Sequence, residues 1–174
     1  MCKRRLTRDF YIRDVLEVAP DLIGKNLVCN HNGHISANTI MEVEAYRGIE
    51  DQACHARFGF TRRNSVMYKA GGPLYVYLVY GIHWMLNVVT GPLNKPQAVL
   101  IRGIQGYLGP GILTKALGIE KSFYGEDLVR SKRIWIEPHL ENPVILQKPR
   151  IGIDYAGEPW KSIAWRYILD NIDS

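Results

Sequence analysis

The chain has 174 residues, 47% of them hydrophobic and 22% charged, with a formal net charge of +5. That length suits one domain over residues 1–174 with a single good core. No apolar run reaches the ~18 residues of a membrane span and no secretory leader is recognisable. The three cysteines (Cys2, Cys29 and Cys54) lack the spacing of a disulfide framework or zinc site. A cytoplasmic protein that uses no metal or other cofactor is expected.

Asp14-Val-Leu-Glu17 has the pattern of a helix start, an acid cap with Glu three residues later. Val15, Leu16, Ala19, Leu22 and Ile23 then fit one helical face, and Gly24 is a natural stop. Lys25–His31 reads as a strand, Asn32-Gly33 as a hairpin turn, and residues 34 to about 46 as the return strand. Along that strand Met41, Val43 and Ala45 share one face, and Glu42, Glu44 and Tyr46 share the other. Periodicity alone does not separate a solvated surface from a pocket wall for the second set, and without other evidence the surface reading is preferred.

Residues 48–61 form a loop or short helix with Asp51, His55 and Arg57. Cys54 beside His55 has the makings of a thiol nucleophile, although a small buried thiol is the simpler reading. Gly71-Gly72-Pro73 breaks the chain before L-Y-V-Y-L-V-Y-G at 74–81. Residues 74–80 and 83–90 read as two buried strands around Gly81. Residues 98–103 read as a third strand, and 112–117 as a short helix closed by Gly118. Residues 134–137 and 144–147 are further strands, and 165–169 is a strand or docking helix. Strands predominate, with a few short helices packed beside them, which points to an α+β fold.

From Gln52 to Ile119 there is no Asp or Glu across 68 residues, while seven residues are basic: Arg57, Arg62, Arg63, Lys69, Lys95, Arg102 and Lys115. The flanks, 1–51 and 120–174, each sum to −1, so the whole excess sits in the middle. A surface lying along phosphates is expected to be cleared of carboxylates, which would repel them. Strands and glycine turns also use few acids, but the flanks hold eight and nine of them, which weighs against composition alone.

Within this span Tyr75, Tyr77 and Val79 share one strand face, and Val76, Leu78 and Tyr80 the other. Tyr in a sheet is ordinarily core or rim, but Tyr80 beside Gly81 lies at a hairpin tip, where a rigid ring can wedge into stacked bases. Asn87 and Arg102 interrupt apolar strands and need partners if buried. No acid lies near Arg102 in sequence, so Glu42 or Glu44 is its candidate partner. His55 and His83 are the nearest histidines. A single carboxylate among aromatic rings, an amide, a histidine and an arginine suits hydrolysis by a Glu-activated water on a substrate with a good leaving group.

E-A-Y at 44–46, E-D at 50–51, His55, R-N at 63–64, the 74–81 run, N-V-V at 87–89, V-L-I-R at 99–102, G-P-G at 109–111, A-L-G-I at 116–119 and D-L at 127–128 together resemble the alkyladenine (3-methyladenine) DNA glycosylase family of the eukaryotic alkylpurine type. Their order and spacing hold from about Leu6 to Gly157.

The resemblance implies a monofunctional DNA glycosylase of base excision repair without lyase activity, built as a single α+β domain with a curved, largely antiparallel β-sheet, short flanking helices and a DNA-inserting β-hairpin. Such an enzyme binds duplex DNA, flips out an alkylated or deaminated purine, and hydrolyses its N-glycosidic bond to leave an abasic site. It implies Glu44 as the water-activating carboxylate and Arg102 as its helper. Tyr46, His55 and Tyr77 would hold the flipped base, Asn87 would form the pocket floor, and Tyr80 would fill the gap in the duplex. Arg57, Arg62, Arg63 and Lys69 are the candidates for contact with the DNA backbone. The implied partner is double-stranded DNA containing damaged purines, met by a monomer away from any membrane. Ile112 departs from the lysine usual in the family, and the segment after Gly157 follows the family only loosely. A non-catalytic binder of damaged DNA on the same fold is the alternative from another class. A small-molecule hydrolase with an incidental basic surface is a third reading.

Overall fold

The computed structural model describes residues 5–170; Cys2 lies outside them. Two short helices, α1 (Arg8–Tyr11) and α2 (Val15–Leu22), precede the sheet. Asp14 caps α2, accepting from the Leu16 amide at 2.9 Å. Its other carboxylate oxygen accepts from Arg47 and Gln97, which ties the helix start to two strand ends. Val15, Val18, Ala19 and Leu22 are the buried face.

β1 (Asn26–His31) turns at Asn32 and Gly33, both at positive φ (52° and 94°), into the 14-residue β2 (His34–Arg47). Asn-Gly suits that turn because both central positions are left-handed. β3 (Leu74–Val79) and β4 (His83–Val89) form a second hairpin, followed by β5 (Gln97–Ile104), the two-residue β6 (Tyr107–Leu108) and α3 (Pro110–Ala116). β7 (Ile134–Glu137), β8 (Ile145–Lys148) and β9 (Arg166–Leu169) complete the sheet. The strand order is β3-β4-β5-β2-β1-β7, and the pairings are antiparallel. The fold is therefore α+β, as expected, and residues 166–169 resolve as a strand.

β2 organises the sheet. Its first half pairs with β1; its second half lies between β5 and β9. The register against β5 shifts on either side of Glu42. The expected alternation therefore needs correction: Ile40, not Met41, joins Val43 and Ala45 in the core. An extra residue in one strand moves the pleat by one position. Glu42, Glu44 and Tyr46 still converge on one face.

One side of the sheet packs Val76, Leu86, Val88, Val99 and Ile101 with α2 and α3 in the main core. The opposite side carries Tyr75, Val89 and Ala98 against Cys54, Ala56, Val66 and Met67 from the segment between β2 and β3. That segment winds through two single-turn helices, His55–Phe58 and Ser65–Tyr68. It covers only part of the sheet, and the uncovered part is a cavity.

Candidate active site

The cavity holds about 380 Å³, within the size range of small-ligand sites. Its sheet wall presents Tyr46 from β2, Tyr75 and Tyr77 from β3, Asn87 from β4 and Arg102 from β5. His55 closes one side, and Ile151, Gly152 and Ile153 close another. The sheet pleat explains the grouping: these side chains come from alternate positions on neighbouring strands, so they point to the same face.

Glu44 lies immediately behind this wall, 0% exposed. Tyr46 donates its hydroxyl to Glu44 Oε2 at 2.8 Å, and the Ile151 amide donates to Oε1 at 2.7 Å. Arg102 Nε is 3.6 Å from Glu44 Oε1 and 3.2 Å from Glu42 Oε1. Both candidate partners of Arg102 are therefore present, and Glu42 makes the closer contact. Glu42 is held in turn by Arg166 at 3.0 Å. Burial pushes the Glu44 carboxyl above its ordinary value; Arg102, the Ile151 amide and Tyr46 pull it down without fully offsetting the lost hydration.

His55 Nδ1 is 2.8 Å from the Tyr75 hydroxyl, and its ring centroid lies 4.6 Å from that of Tyr77. Burial first, and then Arg63 and Arg57, lower its pKa to about 4, so the imidazole is neutral near pH 7. Asn87 is 3% exposed and donates Nδ2 to the Tyr75 carbonyl at 3.1 Å. That acceptor fixes which end of the amide faces the backbone.

Tyr80 stands at the mouth of the cavity, 91% exposed. Strict alternation would have aimed it away with Val76 and Leu78. Its φ of 52° instead takes it out of the strand, into a turn closed by the Ile82 amide on the Val79 carbonyl at 3.1 Å. Gly81 follows at φ 70°. A bulky residue in this left-handed region is uncommon and strained.

The arginine candidates lie beside the cavity rather than in its lining. Arg57 and Arg63 line a neighbouring hollow with His55 and Tyr155. The Arg63 guanidinium also sits 5.4 Å from the Tyr77 ring centroid. Arg62 and Lys69 are exposed. Among the described residues, none of these four is paired with a carboxylate. His83 lies elsewhere, in a roomier groove of about 1030 Å³ with Trp84 and Gly111. Ile112 is 58% exposed on α3. Cys54 is fully buried, and burial pushes its thiol up to about 12, which leaves negligible thiolate near neutrality. The simple structural reading of that cysteine holds.

Sequence reasoning missed Asp51 and Arg150 as site residues. Arg150 donates to both carboxylate oxygens of Asp51, at 2.6 and 2.9 Å, and both side chains are 0% exposed. The signal was a guanidinium between Pro149 and the apolar run that starts at Ile151, the same question that Arg102 poses. The 151–153 wall and Tyr155 had no signal short of the folded chain.

The sequence profile of the methylpurine-DNA glycosylase (MPG) family matches residues 9–107 and 106–172. Among curated relatives, a protein from Natranaerobius thermophilus is 41% identical over 96% of this chain and 96% of its own. One from Anaeromyxobacter sp. is 42% identical over 95% and 89%, and one from Desulfitobacterium hafniense is 42% identical over 97% and 96%. All three carry the provisional name 3-methyladenine DNA glycosylase. They are bacterial, so they support the family and not a eukaryotic branch of it. With a profile match along nearly its whole length and relatives at this identity, the chain belongs to the methylpurine-DNA glycosylase family.

Proposed function

We propose that this protein is a monofunctional DNA glycosylase: it takes an alkylated or deaminated purine out of duplex DNA into the 380 Å³ cavity and hydrolyses its N-glycosidic bond. The observation that carries this reading is a fully buried carboxylate, Glu44, set behind an aromatic cavity whose mouth bears a 91% exposed tyrosine. The eukaryotic-type motifs are read here as shared site chemistry and not as lineage.

Tyr80 enters the duplex and fills the space of the extruded nucleotide. Extrusion costs least for a poorly paired, damaged base, so this step already selects. The purine then lies among Tyr46, Tyr77 and His55. Alkylation at a ring nitrogen leaves the base cationic, and tyrosine faces attract that cation by about 1–2 kcal/mol in a desolvated site. A neutral His55 adds no opposing charge. Asn87 sets the depth of the pocket and disfavours an extra exocyclic amino group.

Glu44 accepts the proton of the attacking water, Arg102 helps hold that water, and the departing purine takes the bonding electrons. No lysine is among the residues that line the cavity, which supports hydrolysis without a Schiff base. Arg57, Arg62, Arg63 and Lys69 contact the phosphates flanking the lesion, and the chain acts as a monomer on an asymmetric target.

Single-turnover release of base from a duplex containing one hypoxanthine, and from methylated DNA, tests the reading. Wild type is expected to release base and Glu44→Gln to lose about 10²–10⁴-fold in rate, with lesion binding retained. Tight lesion binding without release by wild type would instead make this a damage-binding protein.

A further inference from the structure

Behind the cavity lies a fully buried ion pair, Arg150 with Asp51. Arg150 spans three parts of the site at once. Nη1 donates to the Ala45 carbonyl at 2.9 Å, between Glu44 and Tyr46 in the chain. Both terminal nitrogens engage Asp51, whose carboxylate also accepts from the Arg47 and Ala53 amides at 3.0 Å. The guanidinium carbon lies 4.8 Å from the Tyr46 ring centroid and 5.1 Å from that of Trp165. The next residue along, Ile151, donates its amide to Glu44 Oε1.

Neither partner lines the cavity, so neither touches a substrate. The residues they hold do. Asp51 anchors the loop after β2, and Arg150 anchors the segment that carries the 151–153 wall. The bidentate contact fixes both position and orientation of a segment 99 residues away in the chain.

We propose that Asp51 and Arg150 are a positioning pair for the reaction: they hold the 150–151 backbone so that the Ile151 amide stays on Glu44 Oε1 while the Tyr46 ring stays against the base site. This rests on the glycosylase reading given above. The groups facing Glu44 are Arg102 from β5, Tyr46 and Glu42 on its own strand, Arg166 on β9 through Glu42, Arg150 from the 149–151 segment, and Tyr77 on β3. The Ile151 amide completes this set on Glu44 Oε1, and its placement follows that of Arg150, the preceding residue. Losing that hydrogen bond removes a donor that favours the ionised carboxylate, so more of Glu44 is protonated at a given pH.

Two variants separate this role from general stability. Arg150→Lys keeps the charge and loses the planar two-point contact. Replacing the Ile151 residue with its α-hydroxy analogue turns one amide into an ester, which deletes the donor and leaves the ion pair intact. The assay is single-turnover release of hypoxanthine from duplex DNA across pH 5–9, with lesion affinity and thermal unfolding measured in parallel. Both variants are expected to be slower at pH 6 by about tenfold or more, to recover much of that loss by pH 8.5, and to bind lesion DNA within about threefold of wild type. The midpoint of the acid limb moves up in both. A uniform loss at every pH, or a wild-type profile in the ester variant, overturns the positioning role. If Arg150→Lys does not fold, Asp51→Glu, which keeps both charges and displaces the carboxylate by one methylene, takes its place beside the ester variant with the same expected and overturning outcomes. Wild type that releases no base at any pH sinks the glycosylase reading and this inference with it, whereas an active wild type with unshifted variants sinks only the inference.

Discussion

The Glu44 carboxyl exchanges bulk water for a tyrosine hydroxyl, one backbone amide and a nearby guanidinium, and the exchange is incomplete. Its proton is held more tightly in the folded state than in the unfolded chain. The stability this confers is present below the unfolded pKa and is lost as pH rises through the folded one. Glu44→Gln cannot ionise. It is therefore expected to melt higher than wild type at pH 8, with the difference closing as pH falls into the range of an ordinary carboxylate. Thermal melts across that range check it; a variant less stable at every pH would mean that the ionised form is the better solvated one. His55 runs the other way. Its folded pKa, near 4, lies below the unfolded value of about 6.5. The stability it contributes is present above 6.5 and is lost as pH falls toward 4. His55→Gln should flatten that part of the stability curve.

At the scale of the element, the β3–β4 hairpin sets local strain against exposure. Tyr80 takes a left-handed backbone and 91% exposure, neither of which stabilises a folded monomer. Tyr80→Ala is expected to weaken lesion-duplex binding and leave undamaged-duplex binding nearly unchanged. Tyr80→Gly should relieve about 1 kcal/mol of backbone strain, offset in part by the greater freedom of glycine in the unfolded chain. Stability within about 1 kcal/mol of wild type, together with lost lesion binding, is the expected outcome; wild-type lesion affinity in both variants would remove the wedge. The 150–151 segment is the opposite case. Asp51→Asn leaves Arg150 buried without its counter-charge and is expected to cost about 3–5 kcal/mol in denaturant unfolding. The helix over 15–22 and both hairpins were legible because apolar period, cap and turn chemistry are local, whereas the closing segment, open in sequence between strand and helix, is a strand through its pairing with β2 and β8. The Met41 placement failed because a bulge depends on the partner strand.

At the scale of the whole molecule, the positive excess and the face that carries the cavity are the same region. The cavity wall comes largely from the acid-free span, and Arg57, Arg62 and Arg63 line hollows beside it, without carboxylate partners among the described residues. Arg62→Gln and Arg63→Gln are each expected to weaken duplex binding without changing lesion preference. Each lost phosphate contact should lower the slope of log affinity against log salt by about 1. Slopes unchanged in both variants would place the DNA elsewhere on the surface.

What the sequence by itself determined was whatever is encoded over a few neighbouring residues. That includes the α+β pattern, the two hairpins, the acid-free basic span, and the residue types of the site from Glu44 to Arg102. Only the tertiary structure decided how those residues are held. The Ile151 amide meets Glu44 across 107 positions, and Arg150 meets Asp51 across 99. The energy of a buried hydrogen bond or ion pair depends on distance, orientation and exclusion of water. None of these is a function of spacing along the chain, so the Glu44 environment exists only once the strands that bracket it are packed.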